Sequence, residues 1–257
     1  MQVSAIPAFD DNYIWLLSAA GHDGCAVVDP GDEDPVLEVL AAQGLKLEAI
    51  LITHKHGDHT GGIRALKARW PAAVVYGPAD EPIPALDRPL VDGDEVDLGP
   101  LGLYQVLDVR GHTEGHIAYY GAGKLFCGDT VFAGGCGRVF SGTMEQLSDA
   151  LARIATLPPE TLLYCAHEYT LENLGFARWV EPHSGDLDSR EAADRDARAQ
   201  GVPTVPSTLA TELATNPFLR QDHPTVIAAA EQWAGESLPG RHAVFRALRT
   251  WKDKEYD

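Results

Sequence analysis

The stretch Ala49-Ile50-Leu51-Ile52-Thr53-His54-Lys55-His56-Gly57-Asp58-His59 joins a continuous apolar run to four potential metal ligands. Residues 49–52 are uninterrupted and rich in branched side chains, as a strand covered on both faces should be. The ligands follow at its C-terminal end, and Gly61-Gly62 then lead into Ile63-Arg64-Ala65-Leu66-Lys67-Ala68, which reads as a helix. In open α/β sheets, ligands bind in the crevice past the carboxyl ends of the strands. In an extended or tightly turned segment His54 and His56 project toward the same side, whereas Asp58 and His59 sit on the turn into the helix and point elsewhere. Four ligands so close in sequence do not close easily around one ion, but they can give two ligands to each of two neighbouring ions. Asp58 or Thr60 also suits the N-cap of the following helix, since both side chains accept hydrogen bonds from its first free amides.

Working outward, the chain repeats the pattern of apolar strand, one ligand and a turn. His112 follows the run at 103–109, Asp129 closes Leu125-Phe126-Cys127-Gly128-Asp129, and His167 follows 161–166. A carboxylate can bridge two cations where an imidazole cannot, so Asp129 is the expected bridge. His54, His56 and His112 are then assigned to one ion, and Asp58, His59 and His167 to the other. Histidines with carboxylates suit zinc, and the same set tolerates iron or manganese. His116, in Gly111-His112-Thr113-Glu114-Gly115-His116, is read as orienting the loop or the ligands by hydrogen bonding. Cys25, Cys127, Cys136 and Cys165 form no C-x-x-C pair, so no thiolate cage is visible, and Cys127 and Cys165 read as buried thiols. His22, His183, His223 and His242 lie in unrelated contexts and read as solvated or structural.

The segment Thr53-His54-Lys55-His56-Gly57-Asp58-His59 resembles the T-H-x-H-x-D-H signature of the metallo-β-lactamase fold superfamily. Asp11-Asn12-Tyr13, Cys127-Gly128-Asp129-Thr130, Gly135-Cys136-Gly137-Arg138, His167-Glu168-Tyr169, Pro203-Thr204-Val205-Pro206-Ser207-Thr208 and Asn216-Pro217-Phe218-Leu219-Arg220 resemble the glyoxalase II family, the hydroxyacylglutathione hydrolases. The resemblance runs from the first strand to Lys252. It implies an α/β (α+β) fold, a four-layer αββα sandwich with the metals at one edge followed by a small C-terminal helical domain. Residues 1–169 would form the catalytic domain and 170–257 the glutathione-binding domain. The family's metal ligands fall on His54, His56, Asp58, His59, His112, Asp129 and His167, and its glutathione-binding positions on Arg138, Phe140, Tyr169, Arg249 and Lys252. Some relatives have Tyr at Phe140 or Lys at Arg138; the second exchange keeps the charge but changes the hydrogen-bonding geometry. Val109-Arg110 replaces the Thr-Pro common before the Gly-His-Thr segment.

The implied activity is hydrolysis of S-D-lactoylglutathione to D-lactate and glutathione, the second step of methylglyoxal detoxification. The expected reaction is attack on the thioester carbonyl by a hydroxide held between two divalent ions. Asp58 and Asp129 are the expected catalytic carboxylates, orienting the nucleophile, with Asp58 also accepting its proton. A related glutathione-persulfide dioxygenase would use one iron and a smaller set of ligands, and a β-lactamase would lack the glutathione-pocket segments.

Composition narrows the partners. A formal charge of −18 on 257 residues argues against nucleic acid, because binding phosphates needs a basic surface. Glutathione thioesters are anionic too, so a local cationic pocket is expected from Arg241, Arg246, Arg249, Lys252 and Lys254. Salt screens the remote acidic surface beyond about 8–10 Å. No stretch approaches the roughly eighteen continuous apolar residues of a membrane span. Residues 1–7 lack the charged start and apolar run of a signal peptide. Few, unpatterned cysteines agree with a reducing cytoplasm, and a monomer is expected.

Along the chain, helices are predicted over 35–43, 144–155, 171–179, 226–233 and 243–252, with a charged helical stretch at 189–200. Further strands are predicted near 72–76, 95–98, 103–109, 117–120 and 124–127, the last two joined by Gly121-Ala122-Gly123 as a hairpin. The segment 81–89 reads as a Pro-rich loop. No repeat of solenoid period is present.

Overall fold

The computed structural model describes residues 1–256. The apolar run before His54 lies at the centre of a six-stranded sheet. Its strands, in spatial order, are β1 (Gln2–Ala8), β2 (Asn12–Ser18), β3 (Gly24–Val28), β4 (Lys46–Leu51), β5 (Val74–Pro78) and β6 (Arg88–Leu90). β1 to β3 pair antiparallel, and β3 to β6 are parallel. One face, carrying Val27, Ile50, Ile52 and Val75, packs beneath Val36 and Leu40 of α1 (Glu33–Gln43) and Ile63 and Leu66 of α3 (Ile63–Arg69). The one-turn α2 (Gly57–Thr60) lies between these helices. Burial on both faces explains why residues 49–52 carry no polar alternation.

The opposite face, with Trp15, Leu17, Val28 and Leu51, meets a second sheet through Val106, Tyr119 and Phe126. That sheet contains β7 (Glu95–Asp97), β8 (Leu103–Asp108), β9 (Ile117–Gly121) and β10 (Lys124–Gly128), while β11 (Val131–Phe132) and β12 (Gly135–Cys136) form a separate small hairpin. α4 (Met144–Ile154) starts at a capping box, Thr143 with Gln146, and buries Leu147, Leu151 and Ile154 in the same core. β13 (Leu162–Cys165) then joins β10 in parallel. The layers are therefore helix, sheet, sheet, helix, the αββα sandwich that the resemblance implies.

Helices dominate from residue 170: α5 (Thr170–Val180), α6 (Gly185–Ala199), α7 (Leu209–Thr215), α8 (Pro224–Ala234) and α9 (Arg241–Trp251), the last running into a π-helical turn at Lys252–Tyr256. One strand interrupts them. β14 (Ser207–Thr208) pairs antiparallel with β13, Leu162 opposite Thr208, and closes the edge of the second sheet. Among the described residues no helix is long and apolar enough to cross a membrane.

Two local expectations change. Neither Asp58 nor Thr60 caps a helix. His56 occupies the N-cap of α2 without a side-chain bond, and the Thr60 hydroxyl donates back to the His56 carbonyl at 2.9 Å. The charged stretch at 189–200 is the later part of α6, which begins at Gly185 behind an Ser184 cap.

Topology gathers the site. β9 is antiparallel to β8 and β10, and β13 is parallel to β10, so β8, β10 and β13 all end at one edge. The two sheets are tied there: the Tyr13 amide donates to the Ala166 carbonyl at 2.7 Å, and the Ile117 amide to the Thr53 carbonyl at 3.0 Å.

Candidate metal centre

The residues after β4, β8, β10 and β13 converge at this edge in two groups: His54, His56, His112 and Asp129, and Asp58, His59 and His167. In the first, His56 Nδ1 lies 3.0 Å from His54 Nε2 and 3.1 Å from His112 Nε2, with Asp129 Oδ2 3.5 Å from His112 Nε2. In the second, His59 Nε2 and His167 Nε2 each lie 3.4 Å from Asp58 Oδ2. Asp129 Oδ1 lies 3.4 Å from His59 Nε2 and 3.5 Å from His167 Nε2. One oxygen of Asp129 thus faces each group.

Three of the five histidines in these groups have their outer nitrogen held by a hydrogen bond, and His59 has a carboxylate near its own. His112 Nδ1 donates to the Arg138 carbonyl at 2.8 Å, and His167 Nδ1 to Asp11 Oδ1 at 2.7 Å. Thr53 Oγ1 donates to Asp29 Oδ2 at 2.7 Å and so accepts from His54 Nδ1 at 3.1 Å. His59 Nδ1 lies 3.1 Å from Asp29 Oδ2. The Nε2 atoms of all four point inward, as those of ligands oriented by neighbouring acceptors do. Asp29 serves both groups: it takes the Thr53 amide at 2.8 Å and stands behind His54 and His59.

The donors fit divalent ions. Ligand atoms about 2.0–2.1 Å from a tetrahedral ion stand about 3.3–3.4 Å apart, against 3.0 to 3.5 Å here. His59 Nε2 and Asp129 Oδ1 are buried without a hydrogen-bond partner among the described residues, a costly arrangement that an ion resolves. Burial pushes His54 well below the usual histidine range, reinforced by His59 and His116, so it is neutral as a ligand must be. For His167 burial opposes charge, but Asp129, Asp58 and Asp11 outweigh it and raise the ring to about 10, so an ion binding there must displace its Nε2 proton. Burial likewise opposes ionisation of Asp58, yet bonds to His167 and His59 hold it well below the carboxylate range.

His116 stays outside both groups. Its ring stacks on His54 at 4.6 Å, and its Nε2 accepts the Asp129 amide at 3.1 Å. Gly128 is required beside it: φ is +48°, and a Cβ there would lie 2.3 Å from Thr53 Oγ1.

A cavity of about 500 Å³ opens over the two groups. All five residues expected to bind glutathione line it. Tyr169 stacks on His167 with centroids 4.8 Å apart, and Phe140, 65% exposed, sets its edge to His56 and His112 at 5.1 and 5.2 Å. Arg249 is buried; its guanidinium holds Asp253 at 2.8 Å and the Cys136 carbonyl at 3.2 Å. Arg138 and Lys252 complete the cationic wall. The expected basic cluster is otherwise dispersed: Arg241 pairs with Asp149 and Arg246 with Glu145, both on α4, and Lys254 is exposed.

The family model described as hydroxyacylglutathione hydrolase C-terminus matches residues 168–255, and the metallo-beta-lactamase superfamily model matches residues 8–167. A hydroxyacylglutathione hydrolase of Alkalilimnicola ehrlichii is 54% identical over 254 residues, covering 98% of this chain and 99% of the relative. The chain belongs to the hydroxyacylglutathione hydrolase family. Among solved structures, ETHE1 from Myxococcus xanthus matches this family member with a TM-score of 0.69 at 25% identity, over 100% of this chain and 93% of that one. TTHA1623, solved in a di-iron-bound form, matches with a TM-score of 0.54 at 29% identity, over 65% of this chain and 92% of that one.

For this hydroxyacylglutathione hydrolase family chain, sequence reasoning passed over Asp29 and gave Asp11 and Asn12 no role. Asn12 Nδ2 donates to Asp58 Oδ2 at 3.2 Å, beside the Asp11–His167 bond. The available signal for Asp29 was positional: it follows β3 as an acid after an apolar strand, the pattern that flagged Asp129.

Proposed function

We propose that this chain hydrolyses S-D-lactoylglutathione to D-lactate and glutathione with two divalent ions, zinc first, with iron or manganese compatible with the same donors. The observation that carries this reading is one cavity holding two groups of inward-facing donors and a wall of Arg138, Arg249 and Lys252. His54, His56 and His112 would hold one ion, Asp58, His59 and His167 the other, and Asp129 both. Bound there, such ions lower the pKa of water to near 7 and polarise a carbonyl.

The protein's own part is placement. Arg138, Arg249 and Lys252 attract the carboxylates of glutathione, while Tyr169 and Phe140 give its backbone apolar walls, which fixes the thioester over Asp58 and Asp129. Asp58 is ionised at neutral pH and faces the cavity, where its carboxylate can take up the proton released by the attacking water. The thiolate leaves without a dedicated acid. We divide the chain at residue 169 into a metal-binding part and a helical part that supplies Arg249 and Lys252. The proposed state is a monomer, since the donors and cations of one chain complete the site without a second copy, and four free buried cysteines agree with the cytoplasm.

Two substitutions separate the roles. His54→Ala or Asp129→Ala should abolish turnover and lower metal content together. Lys252→Ala should raise KM about tenfold or more with kcat nearly kept, as loss of uniform binding does. An unchanged KM would remove Lys252 from the substrate site, and full turnover in His54→Ala would refute the metal assignment.

A further inference from the structure

The loop between β5 and β6 places a buried carboxylate between the two loops that carry His54, His56 and His112. Glu81 is 6% exposed. Its Oε2 accepts the Lys55 amide at 2.6 Å, and its Oε1 accepts the Gly115 amide at 3.1 Å. Lys55 stands between His54 and His56, and Gly115 three residues after His112 and immediately before His116. A Cβ on Gly115 would lie 2.6 Å from Glu81 Cγ, so glycine there makes room for the carboxylate. Ile83 anchors the segment in the outer apolar core. On the solvent side Ser141 Oγ repeats the tie, accepting the Glu114 amide at 3.2 Å and Lys55 Nζ at 3.3 Å. Among the described residues Glu81 makes no hydrogen bond to the segments of Asp58, His59 or His167.

We infer that Glu81 is a positioning residue for the His54, His56 and His112 group alone, clamping the two ligand loops at the spacing one ion requires. The contact it governs is His56 Nδ1 to His112 Nε2, 3.1 Å across the two loops. Without the carboxylate both amides lose their partner and the loops can part, while the second group keeps its own supports in Asp11 and Asn12. This inference rests on the two-ion reading above.

The test is zinc titration of metal-free protein against a competing chelator. Two binding events in the wild type uphold the two-ion reading on their own; fewer would refute that reading whatever Glu81 does. His56→Ala and His167→Ala identify which event belongs to which group. Glu81→Ala should weaken the event lost in His56→Ala by about 10–100-fold and leave the other unchanged. Glu81→Gln, which keeps the length and one acceptor oxygen, should weaken it less and decides the matter if the alanine variant does not fold. Asp80→Asn, at an exposed neighbouring side chain, should change neither event. Equal weakening of both events, or a lower melting temperature with both affinities intact, would overturn the assignment.

Discussion

Asp29 shows how much one side chain can organise. It is buried, takes up a left-handed backbone conformation with φ of 52°, and receives bonds from the Thr53 amide and hydroxyl. Through Thr53 it aims His54, and directly it faces His59, so one carboxylate stands behind both ion groups. Asp29→Ala should therefore weaken metal binding at both groups by about 10–100-fold, in contrast to the one-sided effect expected of Glu81. Metal retained after dialysis against chelator measures this, and full retention would contradict it. The seven proposed ligands were legible because each is a metal-binding residue type at a strand end. Asp29 shares that strand-end position but was passed over, and Asp11 and Glu81 were not legible, because their partners lie 156 and 26 or 34 residues away and only the folded chain brings them together.

Elements decide which of these contacts can form. The sandwich was readable from the apolar runs at 49–52 and 103–109, and the helices from their spacing. β14 was not, since two residues are too short to alternate. In the helical region Glu181, just past α5, binds Arg220 through two bonds of 2.9 Å and also accepts from Thr225 near the start of α8. Burial opposes its charge, but Arg220 and Thr225 hold the carboxyl below its ordinary value. A depressed carboxylate contributes stability that is present above its unfolded value of about 4.3 and is lost as pH falls through the folded value. Glu181→Gln should thus cost about 1–3 kcal/mol at pH 7, and the gap to wild type should narrow as pH drops below about 4.5. Denaturant melts across that range check it; a gap that widens in acid would contradict the assignment.

For the whole molecule, a net charge of −18 coexists with a cationic cavity because screening is local. Arg138, Arg249 and Lys252 lie together on its wall, with Asp253 beside Arg138 and Arg249, whereas Arg241 and Arg246 pair with acids of α4 and do not line it. The ion groups draw donors from both sheets, so metal should also hold the sandwich together. Free zinc at about a thousand times its dissociation constant would stabilise the fold by about 4 kcal/mol, or roughly 8–16 °C for a chain of this size. Calorimetry with and without chelator reads that shift, and equal melting temperatures would contradict it.

The central claim is a thioesterase built on two ions, and the most direct measurement follows loss of thioester absorbance from S-D-lactoylglutathione with metal content determined in the same sample. The account predicts rapid turnover with close to two divalent ions per chain. No turnover in fully metallated protein would contradict it.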